Sequence, residues 1–228
     1  MTVKGIFCGL TSIIAGTTIW YGVALASGTG ISADEALQKL MDGNKNYVAE
    51  KMSNQKISCR VVRESLAKTQ KPYAVILSCS DSRVPPEIIF DKTLGEIFVV
   101  RVAGNVPDPV VLGSIEYAAE HIGSPLIMVL GHERCGAVTA AVEAKGEPEG
   151  NIGSIVKTIA PAVTKARNDY KGNDKAQLVE TAVDDNIMLV KENLTNNSTI
   201  LKELAKEGKI RIVAAKYDLD DGKVTLMK

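Results

Sequence analysis

The sequence predicts an α/β protein: a central, mostly parallel β-sheet flanked by helices, with a short C-terminal antiparallel strand. Three short apolar runs, 73–78, 97–102 and 126–130, have the length and composition of strands buried on both faces. A helical pattern from Val111 to Ile122 lies between the second and third runs. Strand, helix, strand in that order implies parallel strands joined by right-handed crossovers. A turn signal, Asp220-Asp221-Gly222, precedes a last β-prone run from Val224 to Met227.

From the N-terminal side, residues 34–49 place Ala36, Leu37, Leu40, Met41 and Tyr47 at near-helical spacing, with Ser32 or Asp34 available as the cap. Pro72 introduces the first strand, Tyr73-Ala74-Val75-Ile76-Leu77-Ser78. Val111, Ile115, Ala118, Ala119 and Ile122 form one face of a helix that Gly123 and Pro125 stop. A helix is expected from Gly136 to Ala144. The stretch 145–153, with three glycines and a proline, is expected to be the least ordered. Residues 175–194 and 199–207 read as helices, and Ile210 to Ala215 as a strand.

At 228 residues and 45% apolar composition, the chain suits one large domain with a substantial core. Lysine plus arginine and aspartate plus glutamate both total 27, which removes the electrostatic argument for nucleic-acid binding and favours a small or neutral substrate. Lys4 is the only charged residue before Asp34, and residues 6–26 are mainly apolar or small. Ending in Ala24-Leu25-Ala26, this segment reads as an export signal cleaved to leave Ser27. Residues 1–26 would then be a signal peptide and 27–228 a single catalytic domain, periplasmic or secreted. The alternative is an uncleaved membrane anchor, since about 20 apolar residues span a bilayer. Thr11, Ser12, Thr17 and Thr18 weaken that alternative. Cys8 and Trp20 belong to this leader. Cys59, Cys79 and Cys135 remain, in a compartment that favours oxidation. Cys59 reads as a buried or unreactive thiol, with intermolecular pairing as the alternative.

Cys79 directly follows the first buried strand, and His132 and Cys135 follow the third. All three therefore belong to the carboxyl-end crevice of a parallel sheet. Two thiolates and an imidazole form a zinc ligand set, and three protein ligands leave a fourth tetrahedral position for water or substrate. Taken alone, buried cysteines equally pack as small apolar residues. Asp81 and Arg83 follow Cys79 at steps of two, so an extended loop would point all three into the crevice. Asp81 could ligate zinc itself, could be held off the metal by a bidentate pair with Arg83, or could form an ordinary loop ion pair.

Cys79-Ser80-Asp81-Ser82-Arg83 together with His132-Glu133-Arg134-Cys135-Gly136 resembles the paired signature of the β-class carbonic anhydrases. The similarity runs from about Asp34 to the C-terminus, through Phe98-Val99-Val100-Arg101, Gly113-Ser114-Ile115-Glu116-Tyr117 and the terminal segment around Tyr217-Asp218. The resemblance implies one zinc per chain, held by Cys79, His132 and Cys135, with Asp81 and Arg83 as the catalytic dyad. It further implies that Gln70 hydrogen-bonds the substrate and that Phe98 and Tyr117 line the pocket. Taken alone, those three would be a surface amide, a strand residue and a helix-face residue.

Allosteric members of the family carry tryptophan three residues before the first cysteine, where this chain has Ile76, so the open-zinc subtype is expected. Val102-Ala103-Gly104-Asn105 departs from the family's usual asparagine-rich run. His121 is expected on the surface rather than as a proton shuttle. The implied assembly is a homodimer or a multiple of one, with sites built from both subunits. The implied reaction is the interconversion of carbon dioxide and bicarbonate. Alternatives are hydrolysis of carbon disulfide or carbonyl sulfide at the same zinc, or a zinc-bearing binding protein without turnover.

Overall fold

The computed structural model describes residues 29–53, 59–146, 148 and 150–228, so the leader read at residues 1–26 lies outside them. Helix α1 (Ala33–Val48) starts where Ser32 accepts from the Glu35 backbone while the Glu35 carboxylate accepts from Ser32 N, a reciprocal capping box. It lies so close to Phe90 that a Cβ at Gly43 would stand 1.8 Å from the Phe90 carbonyl oxygen.

Among the described residues, five strands form one sheet: β1 (Ala74–Ser78), β2 (Ile97–Arg101), β3 (Leu126–His132), β4 (Arg211–Tyr217) and β5 (Val224–Met227). Their order is β2-β1-β3-β4-β5. The first four are parallel, and β5 returns antiparallel to β4. The predicted fold class holds. β1 and β3 are central and buried throughout, whereas β2 is an outer strand whose Ile97, Phe98 and Val99 are only half-buried.

Alternation along the strands divides the core in two. Ile76, Met128 and Leu130 face α1 and the short α3 (Pro86–Ile89). Val75, Leu77, Ile127 and Val129 face α4 (Pro109–Glu116), α5 (Gly136–Glu143), α6 (Ile152–Asp169), α7 (Lys175–Asn196) and α8 (Thr199–Lys206).

Three features differ from expectation. The helix predicted over Val111–Ile122 is α-helical only to Glu116, then widens into a π-helical turn, Tyr117–Ile122, ended by left-handed Gly123. Helix α2 (Arg60–Leu66) has no buried residue and thus no apolar stripe to reveal it. Helix α6 carries Pro161, which disguises it in sequence; that proline lies on the exposed face while Val156, Ile159, Ala162, Val163 and Ala166 are buried. Of the stretch 145–153, residues 147 and 149 lie outside the described residues, and Ile152 already opens α6. No helix among the described residues is long and apolar enough to cross a membrane.

Candidate metal centre

Because β1 and β3 are parallel neighbours, in register from Ala74 opposite Leu126 to Ser78 opposite Leu130, their carboxyl ends emerge side by side. Cys79 follows β1, His132 is the last residue of β3, and Cys135 is the N-cap of α5. All three side chains are buried, and their donor atoms lie within 4.8 Å of one another. Arg134, at φ +48°, makes the left-handed turn that brings Cys135 back beside His132.

His132 Nδ1 is 2.8 Å from the Glu133 carbonyl oxygen, which only accepts, so Nδ1 carries the proton. The lone pair on Nε2 is thereby left free, in a side chain with almost no exposure and no hydrogen-bond partner for that atom among the described residues. A buried, unpartnered imidazole nitrogen beside two buried sulfurs is the donor set of a soft divalent cation such as zinc.

The electrostatics agree. A hydrogen bond from Cys135 pushes the Cys79 thiol down to about 4 against the opposing effect of burial. The N–H groups of Gly104 and Asp81 assist. The same bond, together with burial, pushes Cys135 up. One proton is thus shared between two sulfurs, and it is the proton that a cation would replace.

Asp81 is gripped by Arg83 through three bonds. Oδ1 accepts from Arg83 N at 2.9 Å and Nε at 3.0 Å, and Oδ2 accepts from Nη2 at 2.7 Å. The Arg83 side-chain contacts hold the carboxyl down to about 2, with the Arg83 backbone contributing. Oδ2 is also 3.9 Å from His132 Nε2, so this oxygen faces the donor set. The loop is a turn rather than the extended segment expected, because the carboxylate captures Arg83 N and the Asp81 carbonyl accepts from Val84 N at 3.0 Å.

Sequence reasoning missed the residues that hold this loop in place. Arg101, at the end of β2, donates to the carbonyls of Cys79 at 3.0 Å and Asp81 at 2.6 Å. Gly104 N donates to Cys79 Sγ at 3.3 Å. Glu180 Oε1 accepts from Arg134 N at 2.7 Å, and Arg134 forms a two-pronged pair with Asp220. Glu133, Asp218 and Asp220 also cluster, as acidic neighbours of that arginine.

Gln70, Phe98 and Tyr117 are not brought to the dyad within one chain. Gln70 precedes β1 and Cys79 follows it; a five-residue strand spans roughly 16 Å. Gln70 and Tyr117 instead line a cleft of about 360 Å³ with Lys68, Lys71 and His121 at the amino end of the sheet. The His121 ring contacts Tyr117 at 5.6 Å between centroids and is exposed, as expected. Phe98 lies opposite Val75 in mid-strand, packed against the α4 face.

A parallel α/β sheet with a buried two-sulfur, one-nitrogen donor set at its carboxyl edge defines a protein fitted to hold zinc-like metal beside an arginine-bound carboxylate. The carbonic anhydrase family model matches residues 74–224. Carbonic anhydrase 2 of Mycobacterium tuberculosis strain H37Rv is 42% identical over 195 residues, covering 84% of this chain and 91% of that protein. A carbonic anhydrase of Mycolicibacterium smegmatis is 40% identical over 197 residues, with the same coverage of 84% and 91%. Among solved structures, the fold matches a Coccomyxa β-carbonic anhydrase in complex with acetazolamide at TM-score 0.69, with 23% identity and coverage of 84% of this chain and 86% of that one. It also matches a tetrameric β-carbonic anhydrase of Sordaria macrospora at TM-score 0.67, with 22% identity and coverage of 85% and 97%. The chain belongs to the carbonic anhydrase family.

Proposed function

We propose that the chain catalyses the reversible hydration of carbon dioxide to bicarbonate, with one zinc held by Cys79, His132 and Cys135. The observation that carries this reading is the free, buried Nε2 of His132 facing two sulfurs while Asp81, locked by Arg83, faces the same point. When bound, zinc supplies the Lewis acidity that makes water a nucleophile near neutral pH. Asp81 Oδ2 spends one lone pair on Arg83 and has another with which to accept a hydrogen bond from the attacking water. That bond aims the water's own lone pair at the carbon. Arg83 keeps the carboxylate ionised and turned toward itself, which supports the open-site subtype, as does buried Ile76 in β1. Activity then persists near pH 7 without cooperative inhibition by bicarbonate.

Gln70 binds a substrate oxygen, and Phe98 and Tyr117 wall the pocket. Because they lie far from the dyad of their own chain, they serve the site of a second copy in a homodimer or a multiple of one. Val61, Leu94, Val110 and Tyr117 are exposed side chains on segments that flank β1 and β2 in the chain, available to such a partner. The relative from Sordaria macrospora is tetrameric. We also propose export directed by residues 1–26, which intact-mass measurement of host protein checks by a start at Ser27.

Metal analysis combined with stopped-flow carbon dioxide hydration tests the main assignment. About one zinc per chain with rapid hydration is expected. A zinc-loaded chain that hydrates no carbon dioxide, or acts only on carbon disulfide or carbonyl sulfide, would overturn it.

A further inference from the structure

Helix α7 reaches the donor set at three places. Glu180 accepts from Arg134 N, between His132 and Cys135. Ile187 packs so tightly on Gly131, beside His132, that a Cβ there would stand 2.3 Å from it. Asn186 Nδ2 donates to the Gly104 carbonyl at 3.0 Å, and Gly104 N in turn donates to Cys79 Sγ at 3.3 Å. A continuous path therefore runs from the helix through one residue's backbone to a sulfur of the donor set. The carbonyl only accepts, so it is the NH2 of the amide that faces Gly104.

Gly104 has φ +71°, followed by Asn105 at φ +46°, and a Cβ at Gly104 would lie 2.8 Å from Ile159. Only glycine fits this left-handed, crowded position, and it needs an anchor to keep its N–H on the sulfur. Asn186 is buried, and its Oδ1 makes no hydrogen bond among the described residues. A buried amide oxygen without a partner lowers stability, so packing alone does not account for an asparagine here.

We propose that Asn186 is a positioning residue of the metal centre, anchoring the Gly104 carbonyl and so holding that residue's backbone where its N–H, in the preceding peptide, fixes the orientation and electron density of the Cys79 sulfur. The proposal rests on Cys79 being a zinc ligand. Groups hydrogen-bonded directly to a metal ligand typically change affinity by about 10-fold to 100-fold, and Asn186 acts one bond further out, through Gly104, so a smaller effect is expected. Asn186→Leu keeps a similar volume and removes the donor. Zinc transfer from the loaded full-length variant to excess chelator should run about 3-fold to 10-fold faster than wild type. In the cobalt(II)-loaded variant, the sulfur-to-cobalt charge-transfer band should move to longer wavelength, because the sulfur has lost an electron-withdrawing hydrogen bond. Val190→Ala loosens the same helix one turn on and should alter neither readout. Asn186→Ala serves if the leucine variant does not fold.

Unchanged zinc release and an unmoved band in the Asn186 variant, with zinc lost in Cys79→Ala, would overturn the proposal alone. So would equal changes in Val190→Ala, which would reduce Asn186 to packing. Zinc retained at wild-type affinity in Cys79→Ala would overturn the ligand assignment and this proposal with it.

Discussion

At the carboxyl end of the sheet, Asp81 takes three bonds from Arg83, Arg101 holds the carbonyls of Cys79 and Asp81, and the donor atoms are buried. At the amino end, Gln70, Tyr117 and His121 are exposed side chains around an open cleft. The carboxyl end can orient a reacting group within a single chain, since its side chains are already fixed by their neighbours. The amino end has polar and aromatic groups with nothing to act on. In the proposed homodimer, the two ends would become one site where a second copy brings its amino end against the first copy's dyad.

The largest effect should come from breaking the complete end. Cys79→Ala or Cys135→Ala should reduce zinc content to background and hydration to the uncatalysed rate, because the ligands act together. Full zinc occupancy in either purified variant would contradict the assignment. Next, Arg83→Ala should keep its zinc and lose about 100-fold to 1000-fold in hydration rate, since Asp81 is freed from its orienting partner. Asp81→Ala should fall in or below that range while keeping zinc. Wild-type turnover by zinc-loaded Arg83→Ala would return the pair to an ordinary surface salt bridge.

A smaller effect is expected at the amino end. Gln70→Ala would remove the hydrogen bond proposed to substrate and should cost about 5-fold to 10-fold in rate, measured by stopped flow at fixed carbon dioxide. No change would remove Gln70 from the site. The smallest effect concerns stability in acid. Asp81 is held down to about 2, below its ordinary 3.8, so its contribution is complete above about pH 4 and disappears as pH falls through about 2. In metal-free protein, Asp81→Asn should therefore have a flatter urea-midpoint profile than wild type between pH 4 and 2. Parallel profiles would mean the pair adds nothing to folding.

The same contrast explains what the sequence disclosed. Strands β1 and β3 were legible because burial on both faces demands unbroken apolar runs, and Cys79, His132 and Cys135 could be placed because they terminate those strands. Helix α6 was hidden by Pro161, and α2 by its lack of a buried face. Arg101, Gly104 and Asn186 were not legible as site residues, since their roles depend on contacts between segments 20 to 82 residues apart that carry no local pattern. Gln70 and Tyr117 came from family resemblance alone. Their separation from the dyad is a consequence of strand length and appeared only with the topology.

The shared site is tested most directly by complementation. A chain carrying Arg83→Ala keeps an intact amino end, and a chain carrying Gln70→Ala with Tyr117→Ala keeps an intact dyad. In a two-fold pair of one of each, one of the two sites is whole. Equal co-expression with random pairing should then restore about a quarter of the wild-type rate per chain, although each parent alone is poorly active. Activity no higher than the mean of the two parents would contradict the account and confine each site to a single chain.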